Sequence, residues 1–349
     1  MNFTVLLKRY TFTLFLYLIS TFISNAQYKR LDLVLATPNT EIFGQDLSKF
    51  YMYTDRTFEG QPSKPWQGGK YGYVRNPKRT NSGILYSRFH EGVDIKPVKR
   101  DSRGIPLDKV RSISHGTVVH TSKSAGASNY GRYVVIEHDW GYGKFYSLYA
   151  HLADISCNKG QKVRPGTSIG ILGYTGDGIN KTRAHLHLEL NLMLSKSFEK
   201  WYKKNYVAPN RHSLFNGINL AGIDIAQLYN EYRRNPVITL PEFISKVETY
   251  WKLLVPNNGI PLIMKSYPWL GSNMDRANGN PSWEISMSPS GIPLKIEPNM
   301  KKVTSPTISW VKFSATPHAW NTRSRLTGTK DKARLTASGQ RFVQLLLWK

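Results

Sequence analysis

Short hydrophobic runs bounded by glycine, asparagine, aspartate and proline fill the chain between residues 66 and 195. The runs alternate with polar residues or stay apolar over four to six positions, which is typical of β-strands. The clearest examples are residues 116–120, 132–137, 144–149 and 167–172, and residues 141–143 have the composition of a hairpin turn. The pattern predicts an antiparallel β domain, a sheet or barrel-like sandwich, over residues 66–195.

The hydrophobic spacing changes to a helical period after residue 195. Three groups show it: Phe198, Trp201 and Tyr202; Ile223, Ala226, Leu228, Tyr229 and Tyr232; Phe243, Ile244, Val247, Tyr250 and Trp251. Thr239 stands before Leu240-Pro241-Glu242 and is expected to cap the third helix. After residue 256 the pattern is strand-like again, and residues 335–348 fit a closing helix.

These patterns predict a mainly β protein with an N-terminal segment at residues 27–65. The β domain at 66–195 is followed by a helical extension at 196–255. A β-rich region of unknown role occupies residues 256–349.

Residues 1–26 have the composition of a signal peptide. Lys8 and Arg9 precede an apolar run at residues 10–23, and Ser24-Asn25-Ala26 offers small residues for cleavage before Gln27. An uncleaved anchor is the alternative, although the run is shorter than the roughly 20 residues of a membrane span. No cysteine follows the run for lipid attachment. We therefore expect an exported protein, either periplasmic or secreted.

The chain is strongly basic, with 48 Lys and Arg against 23 Asp and Glu and a formal net charge of +25. For an exported protein this charge favours an anionic wall polymer or membrane surface as partner and makes nucleic acid an unsuitable one. The other interpretation is a solvated basic surface, and charge patterning alone does not separate the two. The oligomeric state is left open.

Candidate chemistry lies with histidine, because one cysteine among 349 residues excludes a disulfide framework and a cysteine-based zinc cluster. Three segments of the β domain combine histidine with regular spacing: His90-Glu-Gly-Val-Asp94, Tyr149-Ala-His151-Leu, and His185-Leu-His187-Leu-Glu189. His90 and Asp94 share a face of a strand or a helix, and His185 and His187 share a strand face. His90-Glu91 begins like a helical HExxH motif, but position 94 is aspartate and Gly92 disfavours a helix, so we reject Glu91 as general base.

Taken together, these three segments resemble the lysostaphin-type, or LytM-like, zinc endopeptidases of bacterial cell walls. The resemblance covers roughly residues 66–195 and extends to Gly116-Thr-Val, to the Lys159–Gly166 stretch and to Gly173-x-Thr-Gly176. It implies that His90, Asp94 and His187 hold Zn²⁺. It also implies that His151 and His185 form the catalytic pair, with their division of roles open. Three such ligands leave a fourth position for water, whose pKa the ion lowers towards about 7.

The loop before His185 departs from the family pattern. Residues 177–184 are longer and more basic than the usual short stretch, with Arg183-Ala184 where Gly-Pro is common. We expect this loop to border the substrate groove, with Lys181 and Arg183 attracting the carboxylates of a diaminopimelate-type cross-link peptide. An oligoglycine bridge is the alternative substrate and offers no side-chain carboxylate.

The resemblance predicts an endopeptidase that hydrolyses peptidoglycan cross-link or stem peptides. Two alternatives stay open: a non-catalytic LytM-like wall-binding regulator of another hydrolase, and a secreted peptidase of non-wall peptides. The polar segment 209–220 is expected to be a surface turn. Its alternative is a lid that folds back over the groove and brings His212 near the substrate.

Overall fold

The computed structural model describes residues 29–348. Its first fourteen strands are β1 (Arg56–Phe58), β2 (Gln61–Ser63), β3 (Gly72–Thr80), β4 (Gly83–His90), β5 (Val93–Ile95), β6 (Lys109–Arg111), β7 (Gly116–Ser122), β8 (Tyr133–Asp139), β9 (Lys144–Ala150), β10 (Leu152–Ile155), β11 (Lys162–Val163), β12 (Ser168–Leu172), β13 (Leu186–Met193) and β14 (Leu220–Ile223). These include all four strands that the hydrophobic runs predicted.

The C-terminal part combines helices and strands. The helices are α1 (Phe198–Asn205), α2 (Ile225–Arg234), α3 (Leu240–Ser245), α4 (Leu262–Ser266) and α5 (Ala337–Leu346). The remaining strands are β15 (Trp251–Pro256), β16 (Ser282–Met287), β17 (Pro293–Asn299), β18 (Thr307–Val311), β19 (Leu326–Thr327) and β20 (Arg334–Leu335). The predicted class is confirmed: a mainly β chain whose extension is first helical and then β-rich.

A seven-stranded antiparallel sheet forms the centre of the fold. Six of its strands follow the order β11-β7-β8-β9-β13-β14. The seventh strand, β5, pairs with the first half of β13, and β14 pairs with the second half on the same side. Strand β13 therefore has β9 on one side and β5 followed by β14 on the other. The sheets of the described residues are open rather than closed into a barrel. A separate hairpin, β3–β4, leads into β5.

Strand β13 shows why the sequence folds this way. Leu186, Leu188, Leu190 and Leu192 alternate along it and are completely buried in the main hydrophobic core. The intervening positions are His187, Glu189 and Asn191, which lie on the opposite face. Strand β13 thus has an apolar face towards the core and a polar face for chemistry.

The same core continues into both flanking regions. Leu31 and Phe50 from the N-terminal segment and Trp201 and Trp251 from the extension belong to the cluster that includes the β13 leucines. Two aromatic residues, Tyr267 and Trp269, attach the C-terminal region to the sheet through three hydrogen bonds. The Tyr267 hydroxyl donates to Lys144 O at 2.7 Å and accepts from the Met193 amide at 2.9 Å. The ring of Trp269 lies beside that of Tyr267, and its Nε1–H donates to Tyr142 O at 2.8 Å.

The helical pattern was wrong at two places. Ile223 ends strand β14, and Tyr250 and Trp251 lie before and at the start of β15, beyond the end of α3 at Ser245. A strand that is buried on both faces has a continuous run of apolar residues. Hydrophobic periodicity alone does not distinguish such a run from a segment of a buried helix. The predicted cap is confirmed, since Thr239 and Glu242 form a reciprocal capping box at the start of α3. The closing helix is α5.

Three further predictions concern single features. The predicted signal peptide, residues 1–26, lies outside the described residues. Among residues 29–348, no helix has both the length and the apolar character needed to cross a bilayer. Cys157 is a free thiol packed into the main core, and burial raises its pKa. The limits at residues 65, 195 and 255 stay predictions.

Replacing Tyr267 by Phe tests how firmly the C-terminal region is attached. The change removes one hydroxyl and leaves the buried Met193 N–H and Lys144 carbonyl without their partner. We expect the free energy of unfolding to fall by about 1–3 kcal/mol. Urea denaturation followed by tryptophan fluorescence measures it. Tyr232→Phe, at a half-buried tyrosine, is the matched control and should change stability little; equal effects of both changes would contradict the prediction.

Candidate metal centre and catalytic groove

Three side chains meet where β5 and β13 pair. Asp94 of β5 lies directly opposite His187 of β13, and His90 ends the preceding strand β4. His90 Nε2 lies 3.1 Å from His187 Nδ1 and 3.2 Å from Asp94 Oδ1, and His187 Nδ1 lies 3.0 Å from the same oxygen. All three residues are buried.

This geometry fits a tetrahedral metal ion. Bonds of about 2.0–2.1 Å from a central zinc separate neighbouring ligands by about 3.3 Å, close to the distances among these three atoms. Among the described residues, this is the group of His, Cys, Asp and Glu able to hold a metal ion. The residues predicted as ligands therefore come together with suitable spacing and donor types.

Partners on the far side of each side chain fix its orientation. His90 Nδ1–H donates to Lys70 O at 2.8 Å, so the Nε2 lone pair faces the centre. His187 Nε2–H donates to Glu189 Oε1 at 2.8 Å, which leaves Nδ1 for the centre. Arg75 Nη2 donates to Asp94 Oδ2 at 2.6 Å, which leaves Oδ1. Such outer contacts are what hold metal ligands in place.

Glu189 is itself held in its ionised form. Tyr130 donates its hydroxyl to Oε1 at 2.8 Å, and Asn191 Nδ2 donates to Oε2 at 2.9 Å. Burial would raise the pKa of Glu189, but the hydrogen bonds from His187, Asn191 and Tyr130 outweigh it and lower the pKa. The carboxylate is therefore an acceptor for His187.

The charges around the centre favour a cation. Burial would raise the pKa of Asp94, but the neighbouring histidines and Arg75 outweigh it and hold that pKa well below its usual value. Burial would lower the pKa of His187, yet its hydrogen bonds with Asp94 and Glu189 raise it to about 10. The carboxylates of Asp94 and Glu189 thus favour a positive charge between them.

His151 and His185 lie beside the three candidate ligands. The ring centroids of His151 and His185 are 4.8 Å apart, and His185 Nε2 lies 3.4 Å from Asp94 Oδ1. His151 Nδ1–H donates to Thr175 O at 2.9 Å, and His185 Nδ1–H donates to Arg183 O at 2.6 Å. Each ring is thereby held in the tautomer whose Nε2 can accept a proton.

His151 reaches this position through an unusual backbone conformation. It follows strand β9 and has a φ of +64°, in the left-handed region that non-glycine residues seldom occupy. Its amide donates to Tyr130 O at 2.9 Å. Burial, with His185 and His187 nearby, holds the pKa of His151 well below its ordinary value, so the ring is neutral.

A cavity of about 480 Å³ opens over these side chains. Four parts of the chain line it: the β3–β4 hairpin, the loop before β8, the loop before β13 and the β13–β14 connection. The lining includes the four histidines and Asp94 described above, together with Arg75, Tyr130 and Glu189, which hydrogen-bond in or around this group. The other lining residues are Arg88, Phe89, Glu91, Asn129, Asp177, Ile179, Arg183, His212, Asn216, Gly217 and Ile218.

Of the two basic residues in the loop before β13 that were predicted to contact the substrate, one lines the cavity and the other does not. Arg183 lines the cavity, and its side chain is 3.6 Å from Asp55 Oδ2. Lys181 is outside the cavity lining, and its ammonium donates to Arg103 O at 2.8 Å. Arg88, which the sequence analysis did not single out, is an exposed guanidinium on the cavity wall.

Part of the segment 209–220, which was predicted as a surface turn, borders the cavity. His212 and Asn216 line the cavity, and His212 Nδ1 pairs with the Tyr133 hydroxyl at 2.9 Å. Asn219 fastens the base of the connection, since its side chain bonds the backbone of Ser195 on both the N–H and the carbonyl. The β13–β14 connection is thus a fixed wall of the groove.

Three site residues, Arg75, Tyr130 and Glu189, were not predicted from the sequence. The position of Glu189 on the same strand face could have been predicted, because Glu189 continues the alternation of polar residues at 185, 187, 189 and 191. No such pattern indicated Arg75 and Tyr130, since they reach Asp94 and Glu189 only through tertiary packing. Glu91 lies at the end of a hairpin and not on a helix, which agrees with its rejection as the base of an HExxH motif.

The sheet therefore brings together two histidines and an aspartate that could hold a metal ion, beside two further histidines, which is the arrangement of a metallopeptidase site. Residues 88–201 match the family model described as peptidase family M23. The chain therefore carries an M23 peptidase domain, and the resemblance to the LytM-like enzymes is confirmed for this part.

Curated relatives match over the same domain. Peptidoglycan DD-endopeptidase ShyA of Vibrio cholerae is 43% identical over 116 residues, 33% of this chain and 23% of that protein. Peptidoglycan DD-endopeptidase ShyB of the same organism is 30% identical over 172 residues, 48% of this chain and 36% of that protein. An uncharacterized metalloprotease of Haemophilus influenzae is 33% identical over 117 residues. The matches span about a quarter to a third of these relatives.

Solved structures also match. The catalytic domain of lysostaphin from Staphylococcus simulans is 26% identical, covering 36% of this chain and 82% of that one, with a TM-score of 0.25. A zinc containing peptidase from Vibrio cholerae is 26% identical, covering 41% and 36%, with a TM-score of 0.26. Because these TM-scores are low, the family assignment of the domain rests on the sequence matches.

Gly92→Ala tests the strand pairing that builds the centre. A Cβ at Gly92 would lie 2.3 Å from the Leu188 carbonyl oxygen, so β5 would have to move away from β13. We expect zinc affinity to fall by at least about tenfold, as when a ligand's support is disturbed. Competition with a chromophoric chelator measures it. Gly126→Ala, where the added Cβ meets nothing within 4 Å, is the matched control; unchanged zinc affinity in Gly92→Ala would refute the prediction.

Proposed function

We propose that this chain is an exported zinc-dependent endopeptidase that hydrolyses the cross-link or stem peptides of peptidoglycan. The observation that carries the proposal is the meeting of His90, Asp94 and His187 at metal-ligand distances beside His151 and His185. The named activity of the two Vibrio cholerae relatives supports peptidoglycan as the substrate.

In this proposal His90 Nε2, Asp94 Oδ1 and His187 Nδ1 hold the zinc ion. When bound, zinc supplies Lewis acidity: it lowers the pKa of a water and polarises the scissile carbonyl. Two neutral imidazoles and one carboxylate leave the ion a net positive charge. The carboxylate of Glu189 and the guanidinium of Arg75 complete the charge balance around it.

His151 and His185 move protons in this proposal. Each presents Nε2 to the centre, because Nδ1–H is engaged by a backbone carbonyl. One Nε2 would accept a proton from the attacking water, and the imidazolium formed in this way would donate that proton to the leaving amine. Both rings are nearly excluded from solvent, since His185 is 1% exposed and His151 7% exposed.

The groove suits a peptide that carries carboxylates. Arg88 and Arg183 contribute guanidinium groups to its lining, and His212, Asn129 and Asn216 offer neutral hydrogen-bonding groups for a peptide backbone. A guanidinium pairs well with a carboxylate through two parallel hydrogen bonds. We therefore favour a diaminopimelate-type cross-link over an oligoglycine bridge, with Arg183 rather than Lys181 as the groove contact from the loop before β13.

Replacing single residues by alanine distinguishes the proposed zinc ligands from the histidines proposed to transfer protons. His187→Ala removes one of three protein ligands, and we expect it, like Asp94→Ala, to lose stoichiometric zinc by elemental analysis. His151→Ala should keep one zinc per chain and lose about 10²–10⁴-fold in hydrolysis rate. His185→Ala should resemble His151→Ala.

The control for this set is His115→Ala, because His115 is exposed and distant from the cavity lining. It should keep both zinc and hydrolysis. A His187→Ala protein with one zinc per chain would overturn the ligand assignment, and a His151→Ala protein with normal turnover would remove His151 from the mechanism. Zinc binding by the unaltered chain without hydrolysis of any peptide would instead indicate the wall-binding regulator.

The substrate is tested with purified cross-linked muropeptide dimers and with pentaglycine. We expect the zinc-loaded chain without residues 1–26 to release monomers from the dimers, more slowly at high salt because ion pairing is screened. Arg183→Ala and Arg88→Ala should each raise KM for the dimers by about tenfold, since a charge-assisted hydrogen bond is lost. Lys181→Ala, outside the cavity lining, is the matched control. Cleavage of pentaglycine alone would defeat the proposed substrate.

A further inference from the structure

The C-terminal region reaches the metal centre through one turn. Residues 322–325 lie between the short helix at His318–Trp320 and strand β19. Arg323 of this turn donates from Nη2 to Glu91 Oε1 at 2.5 Å. Glu91 is the residue after His90 and lines the same cavity as the candidate metal ligands.

Arg323 contacts the residues on both sides of His90. Its guanidinium carbon lies 5.5 Å from the centroid of the Phe89 ring, and its backbone N–H donates to the Tyr73 hydroxyl at 2.9 Å. Phe89 in turn packs edge-on against Tyr71 and Tyr73, with ring centroids 5.1 and 5.0 Å apart. The end of β4 is therefore enclosed by aromatic rings and covered by Arg323.

The turn that carries Arg323 has a strained backbone. Arg323 and Ser324 have φ values of +53° and +58°, and two consecutive non-glycine residues in the left-handed region need support from their surroundings. Hydrogen bonds around the turn provide it. Thr322 Oγ1 donates to His318 O and accepts from the Leu326 amide, and Thr336 Oγ1 donates to Ser324 O.

We propose that Arg323 is a positioning residue for the metal centre, through which the C-terminal region holds the His90–Asp94 segment in the geometry that binds zinc. The inference rests on the proposed metal site but not on the identity of the peptide substrate. It assigns a role to residues 256–349 and explains the acidic side chain at position 91, which neither binds the metal nor serves as a base in the proposed mechanism.

The physical basis is the short span between the two ligands. His90 and Asp94 are separated only by Glu91, Gly92 and Val93, and Gly92 packs directly against the Leu188 carbonyl. An ion pair that is about one-quarter exposed, 28% for Glu91 and 23% for Arg323, is partly shielded from solvent. Fixing Glu91 therefore fixes the backbone from which both ligands extend.

The test measures zinc affinity of the full chain by chelator competition, independently of any hydrolysis. We expect Arg323→Ala to weaken zinc binding by about tenfold, the lower end of the range for outer supports of metal ligands. Glu91→Gln should weaken it similarly, and the double variant should be no weaker than either single one because both break the same contact. Arg323→Lys should recover part of the loss.

Matched measurements separate positioning from general stability. Arg276→Ala removes an exposed arginine of the same region and should leave zinc affinity unchanged. The urea midpoint of the metal-free Glu91→Gln protein should match that of the unaltered chain, which a mainly structural role would not allow. Normal zinc affinity in both Arg323→Ala and Glu91→Gln, or additive losses in the double variant, would overturn the proposal. If Arg323→Ala does not fold, Glu91→Gln and Arg323→Lys still decide.

The result is independent of the proposed activity. A chain that binds zinc but hydrolyses no muropeptide would refute the endopeptidase proposal, while the comparison of zinc affinities among these variants would still support or refute the role of Arg323.

Discussion

The antiparallel register of β13 between β5 and β9 is the constraint on which the site depends. It places Asp94, His187 and Ala150 in one line across three strands, so His151 follows at the edge of the same face. Because side chains alternate along a strand, a slip of one residue would turn the leucines into the cavity and the histidines into the core. The four buried leucines oppose such a slip, and the hydrophobic core therefore fixes the geometry of the polar face.

Around this register the buried charges form a connected set. Asp94 is shared by His90, His185, His187 and Arg75, and Glu189 is shared by His187, Tyr130 and Asn191. Neither carboxylate is left with an unsatisfied oxygen, which matters because an unpaired charge in this environment would be costly. The arrangement makes the outer contacts as important for the site as the atoms that face its centre.

The features that could be predicted from the sequence are those that depend on the spacing of neighbouring residues. Strand geometry makes residues two apart share a face, so the grouping of His185 with His187 followed from the sequence. Arg75, Tyr130 and Arg323 could not be predicted in the same way. Their partners lie 19, 59 and 232 positions away along the chain, and only the packed fold brings them together. The run at Tyr250 and Trp251 was also hard to assign, since a largely buried strand lacks the regular alternation that distinguishes it from a helix.

The lone thiol of Cys157 has a consequence for how the protein can be observed. It is 1% exposed and belongs to the core cluster that also contains the β13 leucines. A thiol that is both covered and raised in pKa reacts only while the surrounding structure is open. Since the chain contains no second cysteine, the rate at which a labelling reagent modifies it reports one event, the transient opening of the β domain. The native sequence thus contains its own single-site probe of how often the core beneath the groove is exposed.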